Sequence, residues 1–139
     1  MLVLDTNVLS AIMGEHPVAK VAAWLARQPD ESLFTTTISQ AEILSGLAIT
    51  AEGRRRRELE ATAHAIFAED FEGRILAFDA DAAVAYADLF AARRRSGRGT
   101  TPLDLMIAAI ARAHGADVVT RDTGGFEGCG LTLLNPWDA

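Results

Sequence analysis

Five short, largely apolar segments recur along this chain, each separated from the next by at least one helix-length stretch, and this alternation constrains the fold more than any other feature. The segments are residues 2–4, 33–36, 75–78, 117–120 and 131–134. Continuous apolarity marks strands buried on both faces, the pattern of a parallel sheet covered by helices, whereas strict alternation would mark a half-exposed sheet. Helix signals fill the intervals. One helix is expected to begin near Val8. Pro17 opens another running to about residue 28, with Val18, Val21, Ala22 and Leu25 on one face. Ser39 begins a third reaching about residue 50, residues 52 to about 70 form a fourth, and Asp79 starts a fifth that ends near Arg95. Pro102 opens the last, which Gly115 closes as a C-cap. The fold class is therefore α/β. The SGRGTT stretch at 96–101 reads as a loop inside one domain spanning 1–139, because segments on both sides of it are needed to complete one sheet. Repeats and low-complexity segments are absent from the sequence.

Composition removes several classes of function. Half the residues are hydrophobic, yet the longest uninterrupted apolar run, residues 105–111, is too short to cross a bilayer. The N-terminus begins at once with a strand and carries no basic segment, so no signal peptide is expected and a cytoplasmic location fits. Cys129 is the single cysteine, which excludes internal disulfides and thiolate metal clusters. A net charge of -6 argues against a protein that coats nucleic acid nonspecifically. The basic residues are nevertheless clustered, in Arg54, Arg55, Arg56 and Arg57 and again in Arg93, Arg94, Arg95 and Arg98. Glu58 and Glu60 stand four residues after Arg54 and Arg56, and Glu52 four before Arg56, so the first group reads as a solvated, ion-paired helix face.

Acidic residues occupy matching places in the alternating pattern. Asp5 follows the first strand, within LDTNVLS. Glu42 lies in the first turn of the helix after the second strand, within TTTISQAEIL. Asp104 lies in the first turn of the helix opened by TTPLDLMIAA, and Asp122 follows the fourth strand, within TRDTGGF. In a parallel sheet, strand ends and helix starts share one edge, which is where ligands bind. Each acid also has a structural reading. Asp5 or Thr6 can cap the first helix. Ser39 with Glu42, and Thr101 with Asp104, fit the capping-box pattern, and Asp122 can serve a turn.

The combination favours a site over four separate caps. Four carboxylates at one edge repel and would partly protonate unless a cation neutralises them, and hard divalent ions, Mg²⁺ or Mn²⁺, suit such an all-oxygen site. An ion of this kind at a sheet edge suits phosphate chemistry. Competing chemistries lack their residues. His16, His64 and His114 show no ligand-like spacing, and no phosphate-binding glycine motif follows a strand. A phosphatase of the haloacid-dehalogenase type needs a second aspartate where this chain has Asn7. Both it and a receiver domain need a later lysine, whereas Lys20 is the only one.

With these residues in view, the chain resembles the PIN-domain ribonucleases, specifically the VapC-type toxins of toxin–antitoxin modules and their FitB-like branch. The likeness covers nearly the whole chain and rests on LDTNVLS, TTISQAEILSGL, the D-x-x-IAA-x-A pattern at 104–111, TRDTGGF and the ending LLNPW. It implies a PIN-like five-stranded parallel sheet of order 3-2-1-4-5 flanked by helices. It places the family's acidic positions, catalytic and metal-binding, on Asp5, Glu42, Asp104 and Asp122, with Thr6, Asn7 and Thr120 as supporting polar residues. Many relatives have Asn at the position of Asp122 and an acid at that of Gly125, and here Pro102-Leu103 replaces the usual small residue and alanine before the third acid.

The implied activity is a Mg²⁺- or Mn²⁺-dependent endoribonuclease, hydrolysing RNA phosphodiester bonds by metal-activated water and leaving a 5′-phosphate and a 3′-hydroxyl. The implied partners are RNA, a small DNA-binding antitoxin whose tail blocks the site, and a second copy of the chain in a homodimer that assembles into larger complexes. No membrane partner is implied. The alternatives are an inactive PIN fold acting as a binding module, or a PIN-like nuclease directed at DNA. Arg93, Arg94, Arg95 and Arg98 have few acids nearby and precede the helix carrying Asp104, so they are expected to contact RNA phosphates. Arg54–57 are expected to matter less.

Overall fold

In the computed structural model, which describes residues 1–99 and 101–139, the first strand β1 (Leu2–Leu4) forms the centre of the sheet. Thr100, within the SGRGTT stretch, lies outside the described residues. The other strands are β2 (Leu33–Thr36), β3 (Ile75–Leu76), β4 (Asp117–Val119) and β5 (Leu133–Leu134), in the order β3-β2-β1-β4-β5. Every pairing is parallel, with Leu2 in register with Leu33 on one side and Asp117 on the other. The expected sheet and strand order are thus both present.

Residue alternation along the central strands explains why they are continuously apolar. Successive side chains point to opposite faces. Leu4 and Val119 join a core with Val8, Leu9, Val21, Ile43 and Leu47, while Val3 and Val118 join a second core with Leu89, Leu105, Ile107 and Phe126. Each fully buried aliphatic side chain of this kind contributes about 1.5–3 kcal/mol.

Among the described residues, seven helices cover the two faces: α1 (Thr6–Met13), α2 (Ala19–Ala26), α3 (Thr37–Ala48), α4 (Arg54–Ala65), α5 (Ala80–Arg95), α6 (Pro102–Ala113) and α7 (Thr123–Phe126). Pro102 opens α6 as expected, and Gly115, with φ 63°, follows its C-cap His114. Several boundaries differ from the sequence reading, among them β5, which starts at Leu133 and not at residue 131. The helix α2 begins two residues after Pro17, because Val18 is extended, with ψ 107°, and its amide ties the chain to the Ala11 carbonyl at 2.8 Å. The edge strand β3 stops at Leu76, since Phe78 turns away to meet Tyr86 edge-on and Asp79 caps α5. The fourth helix divides into α4 and a π-helical turn, Ile66–Asp70, that buries Ile66 and Phe67. Among the described residues, no helix is long and apolar enough to cross a membrane.

Candidate active site

Asp5 leaves the end of β1 and is only 3% exposed. Its carboxylate accepts 2.8 Å hydrogen bonds from the Thr6 amide and from the Thr120 hydroxyl. The capping reading therefore holds, yet capping uses one oxygen and leaves a buried acid facing others. Burial pushes this carboxyl up to about 6; the bonds from Thr120 and Thr6 oppose the rise, and the nearby Asp104 and Glu42 charges add to it.

Glu42 is not a capping residue. Thr36 caps α3, its hydroxyl accepting from the Ser39 amide at 3.1 Å, so the helix starts earlier than Ser39 and Glu42 lies in the second turn. This corrects both the capping-box pairing and the first-turn placement. The freed Glu42 side chain reaches Thr6, whose hydroxyl lies 2.9 Å from Glu42 Oε1 and 2.9 Å from Ser39 Oγ. A carboxylate only accepts, so the Thr6 proton goes to Glu42 and Ser39 donates to Thr6.

At the start of α6, Thr101 is the N-cap and accepts from the Asp104 amide at 3.3 Å. Burial raises the Asp104 carboxyl, hydrogen bonding with Thr101 lowers it, Asp122 raises it and Arg93 lowers it. Asp122 caps the short helix α7, accepting from the Gly125 amide at 3.1 Å, so its turn role is real as well. The crowding here is severe. A Cβ on Gly125 would stand 2.9 Å from Asp122 Oδ2 and 3.3 Å from Asp104 Oδ2, so glycine is what lets the two carboxylates approach.

Thr120 ties these parts together. While its hydroxyl donates to Asp5, its oxygen accepts from the Asp122 amide at 3.0 Å and from Asn7 Nδ2 at 3.4 Å. Asn7 in turn accepts from the Arg121 amide at 3.3 Å. The three polar residues expected to support the site are all in contact with it or with one another.

A cleft of about 370 Å³ is lined by Asp5, Thr6, Asn7, Ser10, Glu42, Asp104 and Asp122. All four acids anticipated from the sequence thus border one open space at the C-terminal edge of the sheet. Ser10 was missed; it follows Thr6 and Asn7 on α1 by four and three residues, the spacing that puts it on their face. A larger cavity of about 560 Å³ between α3 and α4 holds Arg56, Glu60 and His64 but none of the four acids. Among the described residues, no three His, Cys, Asp or Glu side chains are gathered tightly enough to grip one ion as they stand.

The arginines divide differently from the sequence reading. Arg93–Arg95 form the last turn of α5, which ends at Arg95 as expected. Arg93 is 3% exposed, and its guanidinium donates to the backbone carbonyls of Gly99, at 2.6 Å, and Glu127. Committed to those carbonyls, it is withdrawn from the set expected to meet RNA. Arg98 stands 3.5 Å from Glu127, while Arg94 and Arg95 are exposed. On α4, Arg54 pairs with Glu58 at 3.0 Å and Arg56 with Glu60 at 2.6 Å, as the four-residue spacing requires.

The PIN domain family model matches residues 2–128. The chain belongs to the PIN-domain family. This PIN domain is 42% identical over 138 residues to the VapC ribonuclease Y4jK of Sinorhizobium fredii, covering 99% of each chain. It is 41% identical over 139 residues to the plasmid stability protein StbB of Pseudomonas syringae pv. tomato, covering 100% of each. Among solved structures, it is similar to FitAcB from Neisseria gonorrhoeae, with a TM-score of 0.89, 32% identity and 100% of both chains covered. The resemblance drawn from its motifs is borne out at the level of family and fold.

Proposed function

We propose that this PIN domain is the metal-dependent endoribonuclease toxin of a toxin–antitoxin module, acting on RNA in the cytoplasm and restrained by a small DNA-binding antitoxin. The observation that carries the reading is the convergence of Asp5, Glu42, Asp104 and Asp122 on one cleft, where burial raises the Asp5 carboxyl to about 6. The naming of a 42% identical relative as a VapC ribonuclease supports the substrate class.

The donor set fits a hard divalent ion, being all carboxylate oxygen with hydroxyls beside it. Asp5 and Asp104 would hold the ion most directly, with Glu42 and Asp122 completing the acidic surround. When bound, Mg²⁺ or Mn²⁺ supplies Lewis acidity that activates water and offsets charge on the scissile phosphate. The chain's own residues keep the acids in place for this. Thr120 and the Thr6 amide fix both oxygens of Asp5, and the Thr6 hydroxyl orients Glu42. Gly125 leaves room for Asp104 and Asp122 to face the same space. Pinning carboxylates before substrate arrives removes reorganisation cost from the reaction.

The test is cleavage of a panel of structured RNAs with Mg²⁺ or Mn²⁺, with EDTA as control and Asp104→Asn as the variant. The reading expects cleavage that EDTA abolishes and Asp104→Asn reduces at least about a hundredfold, the scale of losing one electrostatic contact in a catalytic site. Cleavage that survives EDTA, or full activity of the variant, overturns it.

A further inference from the structure

The acidic cleft does not end at its acids. It shares Thr6, Ser10 and Glu42 with a second hollow of about 390 Å³ along α1 and α3, which Arg55 reaches from α4. That hollow shares Met13, Gly14 and Arg55 with a third of about 380 Å³, where His16 lies. The three adjoin, so one groove runs from the carboxylates alongside α1, a helix of eight residues and about 12 Å, to Arg55 and His16.

The four arginines of α4 are not equivalent with respect to this groove. Arg54 and Arg56 are engaged by Glu58 and Glu60, whereas neither Arg55 nor Arg57 forms an ion pair among the described residues. Of these two, Arg55 lines both outer hollows, and Arg57 lines none of the three. Glu15 and Glu58 also border the outer end, but Glu58 is the partner of Arg54. An exposed guanidinium without a carboxylate partner, at the far end of a groove that opens onto a phosphate-cleaving site, is placed to hold a second phosphate of the same strand.

We propose that the RNA strand leaves the acidic cleft along this groove and that Arg55 is a substrate-binding residue contacting a backbone phosphate away from the scissile one. The proposal rests on the ribonuclease reading above and departs from the sequence expectation that the α4 arginines matter less. It also explains how a chain of net charge -6 holds a polyanion: one uncommitted cation sits along the strand's path, and a general basic surface is unnecessary.

The neighbouring arginine supplies the control, because Arg57→Ala removes the same charge from the same exposed helix. Binding of a labelled, mixed-sequence, single-stranded RNA dodecamer is measured by fluorescence anisotropy at several salt concentrations, in the Asp104→Asn background. Arg55→Ala is expected to weaken binding several-fold and to reduce the salt slope by about 0.7, the value for one lost contact on a single strand. Arg57→Ala is expected to leave the slope at that of the background, and Arg55→Lys to restore it. Equal behaviour of Arg55→Ala and Arg57→Ala, including the case where the groove serves a protein partner instead, overturns the proposal. Metal-dependent RNA cleavage by the otherwise unaltered chain would then still stand, whereas a chain that neither binds nor cleaves RNA overturns the ribonuclease reading and this proposal with it.

Discussion

The Thr120 hydroxyl donates a 2.8 Å hydrogen bond to Asp5, joining the end of β4 to the end of the neighbouring strand β1. The bond holds down a carboxyl that burial pushes from 3.8 to about 6. A group whose folded pKa is raised contributes stability that is full below its unfolded pKa and is lost as pH rises through the folded one. For Asp5 the window runs from about 4 to about 6, and the difference corresponds to about 3 kcal/mol. In EDTA, unfolding free energy should therefore fall across this window more steeply in the native chain than in Asp5→Asn. Thr120→Val should move the midpoint of the fall to higher pH. Denaturant titrations at closely spaced pH values measure both, and parallel curves for the native chain and Asp5→Asn would contradict the assignment.

Gly125 and Asp122 make a second prediction. A Cβ at 125 would press on the Asp122 and Asp104 carboxylates, which are movable side-chain ends, so the site should suffer more than the fold. Gly125→Ala is expected to change stability by no more than about 1 kcal/mol while lowering RNA cleavage about tenfold or more. A side chain at 125 also borders Asp122 and Asp104, so an acid there can return the charge that Asp122→Asn removes. The double variant Asp122→Asn/Gly125→Asp, the arrangement the family resemblance implies for other members, should recover cleavage that Asp122→Asn alone loses. Recovery absent in a well-folded double variant would mean the two positions are not interchangeable suppliers of the fourth acid.

Arg93 should act on stability. Its guanidinium bridges the Gly99 and Glu127 carbonyls from a buried position, so Arg93→Ala strands both and leaves a void. A loss of about 2–4 kcal/mol is expected in urea unfolding. Arg94→Ala, on the exposed side of the same turn, should cost under about 0.5 kcal/mol.

The proposed function implies an antitoxin, and such a partner is expected to inhibit by setting a cationic side chain among the four acids, since Arg satisfies carboxylates bidentately without an ion. Replacing the arginines of its tail by alanine should raise the concentration needed for half-inhibition. Undiminished inhibition would mean the tail blocks the cleft by bulk alone.

The extent to which this chain was legible in advance follows from the physics of each element. Apolar runs such as Leu2–Leu4 and the N1 proline of α6 report on burial and on backbone geometry directly, so the sheet and the four acid positions were readable. Glu42 was read as part of a capping box because Ser39-x-x-Glu42 fits that pattern, and only the fold shows Thr36 taking the cap and Glu42 reaching Thr6 instead. Arg93 was grouped with its neighbours by charge. Its burial was signalled instead by its place after Ala82 and Leu89 on the inward stripe of α5. The groove through Ser10 to Arg55 joins α1, α3 and α4, and no spacing within one helix reports a contact among three.

The central claim is that the four acids form one cation site, and calorimetric titration of Mn²⁺ into the metal-free chain near neutral pH tests it most directly. The account predicts saturable binding that weakens at least about tenfold, or about 1.4 kcal/mol, in Asp5→Asn and in Asp104→Asn. Heats no larger than dilution, or equal affinity in all three proteins, would contradict it.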